Sequence, residues 1–294
     1  MKADDNDRLA GPRKAVNKTP RIIGVAVLAG AVAIAMFYYL NDDDGRTIPT
    51  VSGELPVLVP QIEDDVIDQA PDIPRQPLPT AEDTDVTVQP AAVELPDLAN
   101  SDEFTRGVLA PLSDARALAR WLSTDSLLQK AVALVDGLAR GVVLIRFMPG
   151  PPPEDPFPVI NEQGVIRLDE AGYARFDNYT NAITSVSPQL LASTFHTLRP
   201  LLENAYGGLG GQPEAIDNRV IAAIDRMLAT PDHHGPFVLA RESAYYRFAD
   251  PGLEALPDVQ KQLLRIGPEN RRKLLNYLQS LRTALLAGES KPVD

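Results

Sequence analysis

The sequence predicts a mainly α-helical domain with a small β-hairpin element, preceded by one transmembrane helix and a disordered linker. Three observations support this. An uncharged apolar run opens at Ile22 and closes at Leu40. A proline-rich, strongly acidic stretch comes after it. From about Asn100 onward, apolar residues recur at helical spacing between capping residues. The expected organisation is a cytoplasmic segment over residues 1–21, a transmembrane helix over 22–40 and a linker over 41–100. An α-rich domain over 101–287 and a disordered tail over 288–294 complete it.

The apolar run, IIGVAVLAGAVAIAMFYYL, has 19 residues and no charge. As a helix it is about 28 Å long, close to the hydrocarbon thickness of about 30 Å, so it can reach across a lipid bilayer. Phe37, Tyr38 and Tyr39 cluster at one end, where amphipathic rings favour the headgroup level. Lys14, Lys18 and Arg21 precede the run and Asn41-Asp42-Asp43-Asp44 comes directly after it. Excess Lys/Arg marks the cytoplasmic flank, which places the N-terminus inside and the rest of the chain across the membrane. Ala33-Ile34-Ala35 matches an A-x-A cleavage pattern but lies inside the apolar run. Permanent anchoring is therefore the leading reading and cleavage the alternative; both export the chain beyond residue 41. Ala26 and Gly30, four apart, would let two such helices approach closely, a spacing common by chance in Ala/Gly-rich segments.

Charge is unevenly distributed. The chain carries −12 in all; residues 1–21 hold +3, and residues 41–103 hold −14 from 16 Asp/Glu against Arg46 and Arg75 alone. That leaves −1 for residues 104–294, a near-neutral domain without the basic face that nucleic-acid binding needs. Prolines at 49, 56, 60, 71, 74, 77, 79, 90 and 96 deny backbone N–H groups to any helix or sheet, and the acidic charge repels itself. A spacer holding the domain off the membrane is the expected role. Ile73-Pro74 and Leu78-Pro79 are candidate docking motifs for a partner, set against the solvated-spacer reading that composition favours. Cysteine is absent, which excludes disulfides, thiol nucleophiles and Cys-ligated metal.

Within the domain, Asn100 or Ser101 caps a helix through Leu109, a second helix covers 113–121, and Thr124 caps a third with Leu127, Leu128, Val132, Leu134, Val135 and Leu138 on one face. Gly141 suits its C-terminal end. Val142 to Met148 is β-branched and apolar. Val159-Ile160 and Val165-Ile166-Arg167-Leu168 flank Asn161-Glu162-Gln163-Gly164 as a short hairpin, and 237–241 is the remaining strand-like stretch. Asp169 caps a helix bearing Tyr173, Phe176 and Tyr179. Ser187-Pro188 starts the next, with Leu191, Phe195, Leu198 and Leu202 on one face, Pro200 as a kink or break, and Gly207-Gly208 at its end. Val220, Ile221, Ile224, Met227 and Leu228 form the next apolar face. After Gly267-Pro268 comes a helix with Leu274, Leu278, Leu281 and Leu285 on one stripe and Arg271, Arg272, Gln279 and Arg282 opposite.

The search for chemistry yields little. His196, His233 and His234 lack the converging spacing a zinc site needs, so no metal and no cofactor is expected. No G-x-S-x-G or S-x-x-K occurs. GGLGG at 207–211 comes after a helix and has no Lys-Ser/Thr behind it, so it reads as a helix-ending turn. No catalytic residue is assigned. The candidate binding residues are Asp217, Asn218 and Arg219 at a helix start, close after Glu203 and Tyr206. One reading makes Arg219 an anion holder and Asp217 a base; the favoured one makes Asp217 a helix cap and pairs Arg219 with a carboxylate across the turn. Asp250-Pro251, with Glu254 one turn on, is a helix start, and Trp121 is a core residue.

The stretches VDGLARG at 135–141, YARF at 173–176, DNR at 217–219, Ile224-Asp225 through Ala229-Thr230-Pro231, YRFADP at 246–251 and Gln260 through Pro268 occur in one order. As a set they resemble the family called domain of unknown function 3014, over roughly residues 95–286. Gly137 and Ala139 stand where that family has Asn and Pro, and the loop 207–212 lacks an aromatic before Asp217. The resemblance implies a proteobacterial envelope protein with an N-terminal membrane segment and supplies no catalytic residue. The resulting expectation is a single-pass inner-membrane protein that presents a non-enzymatic binding domain in the periplasm to an envelope protein or the cell wall. The alternative is an envelope hydrolase using carboxylates near Asp217 and Arg219.

Overall fold

The computed structural model describes residues 69–75, 95–112, 116–144, 158–242 and 245–287. The apolar run at 22–40, the cleavage motif and the tail at 288–294 lie outside them. Among the described residues, no helix is long and apolar enough to cross a membrane.

The molecule is mainly helical with a small antiparallel sheet. After a 3-10 turn at Leu98–Asn100, helix α1 covers Ser101–Leu109 and α2 covers Arg116–Leu122. Helix α3, Leu127–Ala139, is buried nearly all round, as a helix enclosed by its neighbours should be. Its C-terminus agrees with the expectation at Gly141: φ is 80°, Val142 N donates to Gly137 O at 2.8 Å and Gly141 N to Leu138 O at 2.9 Å, the Schellman arrangement. Its N-terminus does not agree. Thr124 does not cap α3; its hydroxyl donates to Trp121 O at 2.9 Å, closing α2. The cap comes from α1, where Asp102 accepts from Ser126 N at 2.7 Å and Leu127 N at 2.8 Å.

Helix α4 is Asp177–Thr184, entered through a 3-10 turn at Glu170–Phe176 that Asp169 caps through Ala171 N. Helix α5, Pro188–Gly208, starts at Ser187 with Pro at its first position and runs unbroken past Pro200. Its buried face, including Leu191, Phe195, Leu198 and Leu202, supplies the packing that carries it through. Helix α6 is Ile216–Leu228, and α7, Pro251–Glu254, is capped by Asp250 through Gly252 N and Leu253 N. Helix α8 is Asp258–Arg265 and α9 is Pro268–Leu286. The centre of the domain is α3 packed on α5 and α6, with α9 laid across α5, α6 and α4. The α9 leucine stripe is inside as expected, but Arg271 on the supposed outer face is 3% exposed. It donates to His233 O and Asp232 Oδ1, both at 2.7 Å, so the loop at 232–233 closes over it.

The sheet has four strands in the order β1-β2-β3-β4, all antiparallel: Val159–Glu162, Val165–Leu168, Val238–Glu242 and Tyr245–Phe248. The expected hairpin is present, but Asn161 and Glu162 belong to strand β1 rather than to the connection, which leaves a two-residue turn with Gln163 and Gly164 both at positive φ, as a type I′ turn requires. It is a half of a larger sheet, extended by β2–β3 pairing at Ile166↔Leu239 and by the β3/β4 hairpin. Leu168, Leu239 and Phe248 point into the core. Residues 142–144 form no strand, although Val143 is buried; 145–148 lie outside the described residues.

Two short parts of the 41–100 stretch depart from the expected linker. Residues 98–100 are helical, and residues 69–75 lie against the domain, with Ile73 1% exposed in the core cluster. Composition averaged over the whole stretch conceals this heptad, which holds one acid, one base and two prolines.

Candidate functional site

Asp217, Asn218 and Arg219 occupy the first turn of α6, and the three side chains diverge into separate contacts. Asp217 is 2% exposed and does not cap the helix; the residue before the helix, Ala215, makes no side-chain cap. Its Oδ2 pairs with Arg199 of α5, which itself lies 3.4 Å from Glu203 one turn on. Arg219 pairs with Asp136 of α3, its Nε 3.6 Å from Oδ1. Asp136 also accepts from Tyr206 Oη at 3.1 Å and from Arg140 Nε at 3.0 Å. The two acids thus sit in separate clusters, each neutralised by arginine.

Burial, then the nearby Asp136 carboxylate, raises the Tyr206 pKa above its ordinary value, with Arg219 opposing. Burial, then the charge of Arg75, lowers that of Arg199, with Glu203 and Asp72 opposing. Sequence reasoning passed over both Arg199 and Asp136. Arg199 stands inside an apolar helical face, and a cation in such a stripe is the signal that a buried acid faces it.

The chain itself covers this face. Arg199 Nη2 donates to Ile73 O at 3.0 Å and Nη1 to Pro74 O at 3.3 Å. Asn218 Nδ2 donates to Ala70 O at 2.5 Å and to Asp72 Oδ1 at 3.0 Å. Arg75 Nη2 meets Glu203 Oε1 at 2.7 Å. Asp217 and Glu203 hold the Arg199 guanidinium so that its remaining donors meet two backbone carbonyls. The segment is thus held by main-chain carbonyls that accept from fixed side chains, by one buried apolar residue, and by charged side chains at 72 and 75.

The histidines are dispersed. His196, 7% exposed, has both ring nitrogens without a hydrogen-bond partner among the described residues; burial, then Arg199, lowers its pKa. His233 Nδ1 accepts from Gly235 N at 3.0 Å and its ring stacks on Phe237, while His234 Nε2 lies 3.3 Å from Asp232 Oδ1. Trp121 is in the core, and Gly207-Gly208 ends α5 before a turn through Gly210 at φ 90°.

No curated protein and no solved structure matches the chain. The profile of a family described as a protein of unknown function, DUF3014, matches residues 127–282. That match takes in α3 to α6, the sheet and most of α9, more than half of the 294 residues, and the chain belongs to the DUF3014 family.

Proposed function

We propose that this is a single-pass inner-membrane protein whose α-rich domain works in the periplasm as a non-enzymatic interaction module, binding an extended segment of a protein partner. The apolar run at 22–40, with basic residues before it and acidic ones after, supports the anchoring and its orientation. One observation carries the interaction reading: Arg199 and Asn218, fixed on α5 and α6, donate to main-chain carbonyls of a proline-containing segment. The charged groups near the start of α6 are committed to holding those donors or to neutralising each other. A hydrolase would need Asp217 and Arg219 to converge on one substrate, whereas Asp217 is engaged by Arg199 and Arg219 by Asp136.

Two measurements test this. Protease added to spheroplasts should digest the C-terminal domain, and protection of that domain would refute the placement. Photo-crosslinking from Asn218-proximal surface positions in intact cells should capture a discrete envelope protein. Capture of none, together with retention of a phenotype that depends on the domain, would refute the interaction reading.

A further inference from the structure

The stretch from 41 to 103 carries only two basic residues, and one of them, Arg75, ends the docked heptad Gln-Ala-Pro-Asp-Ile-Pro-Arg. Pro71 and Pro74 have fixed φ and no N–H, so this segment presents carbonyls to a binding face and loses less freedom on ordering than a general sequence. The face on α5 and α6 is matched to that offer. Arg199 and Asn218 supply donors to the carbonyls of Ala70, Ile73 and Pro74. Ile73 is the buried anchor. Asn218 takes the acid at 72 and Glu203 the base at 75, which fixes both chain direction and spacing.

We infer that this face is a peptide-binding site for extended segments of the order acidic, branched aliphatic, proline, arginine, and that residues 70–75 occupy it as a displaceable latch in cis. The inference deepens the interaction reading above and rests on it for the existence of an outside partner. A single apolar anchor and a few hydrogen bonds make a weak complex. The 19 residues between Arg75 and Leu95 make it intramolecular, at an effective concentration on the order of millimolar for such a connection. A partner segment with the same order, brought close along the membrane, exchanges with the latch and frees residues 69–75.

The test uses the full-length chain in detergent and a fluorescent peptide copying residues 68–77. The peptide should bind the Ile73→Asp chain at least tenfold more tightly than wild type, because only wild type keeps its own anchor in the seat. Adding Asn218→Ala to the open chain should reverse most of that gain, and a peptide with Ile73→Asp should bind neither. Equal affinity for both chains, or binding to neither, overturns the proposal. Circular dichroism shows whether Ile73→Asp has folded.

A second probe avoids that variant. The chain has no cysteine, so Asp72→Cys with Asn218→Cys reports on the latch alone. An intramolecular disulfide in the monomeric chain is expected; failure of the pair to close, or a disulfide formed between two chains, overturns the cis latch. Both assays read the seat in detergent, so a negative result here leaves the spheroplast placement standing, and a failed spheroplast result leaves the latch standing.

Discussion

Arg199 is 6% exposed and divides its donors between Asp217 and the carbonyls of Ile73 and Pro74. A buried guanidinium that loses its counter-charge is costly, so Asp217→Ala should destabilise the domain by about 3 kcal/mol or more. Denaturant unfolding of the full chain, monitored by circular dichroism, measures this, and an unchanged midpoint would show that the ion pair holds nothing together. His196 makes a prediction of different form. Its pKa lies below 6.5 in the folded chain because burial, then the neighbouring Arg199, opposes the charged ring. The unfolded chain therefore takes up this proton first as pH falls. Stability from His196 is complete above pH 6.5 and is lost progressively below it. Replacing it by Leu should flatten the unfolding midpoint between pH 7 and 5; a variant with the wild-type slope would assign the dependence elsewhere. The sequence offered Asp217 and Arg219 as polar residues at a helix start, yet hid their partners. Arg199 lies within an apolar stripe and Asp136 on a helix about 80 positions away, and charge pairing over that separation leaves no local pattern.

At the scale of elements, three local caps were legible, Asn100 and Asp217 make no side-chain cap although their spacing suggested one, and the cap that is not local was missed. Ser187, Asp169 and Asp250 each accept from a backbone N–H two or three residues on, a relation that spacing alone reveals. Helix α3 is capped from 24 residues upstream by Asp102, while Ser126, just before the helix, sits at φ 56°. Asp102→Ala should therefore cost about 1–2 kcal/mol, the range of a lost cap, and Thr124→Ala clearly less. Matched unfolding curves of the two variants decide between the caps, since equal shifts would contradict the structure. The sheet divides the same way. The β1/β2 hairpin was visible because two β-branched runs flank a short polar connection, whereas joining β2 to β3 links positions about 70 apart in sequence and needs the folded helices between them. Strand β4 was hidden because its aromatic run flows directly into the Asp250-Pro251 helix start. Gly137 has a physical reason: a Cβ would meet the Leu144 side chain at 2.9 Å, so the glycine lets the chain fold back over α3.

At the scale of the whole molecule, residues 69–75 and the helical domain form one packed unit. Average composition describes 41–100 as a spacer, yet at 69–75, where acid and base cancel beside two prolines, the chain packs on the domain. If residues 70–75 are a latch, its closure depends on the 19-residue connection to Leu95 through loop entropy, which grows slowly with length. Doubling that connection with a Gly/Ser insert between 76 and 94 costs about 0.6 kcal/mol, so closure weakens only about threefold. Ile73→Asp removes the anchor itself and should act far more strongly. Peptide titration of the two full-length variants distinguishes these contributions: the insert should raise the apparent affinity for the added peptide by about threefold, and Ile73→Asp by about tenfold or more. If the insert opened the seat as fully as Ile73→Asp, the contacts around Ile73 would contribute little and closure would be a matter of chain length alone, so the anchor in the core would lose its role.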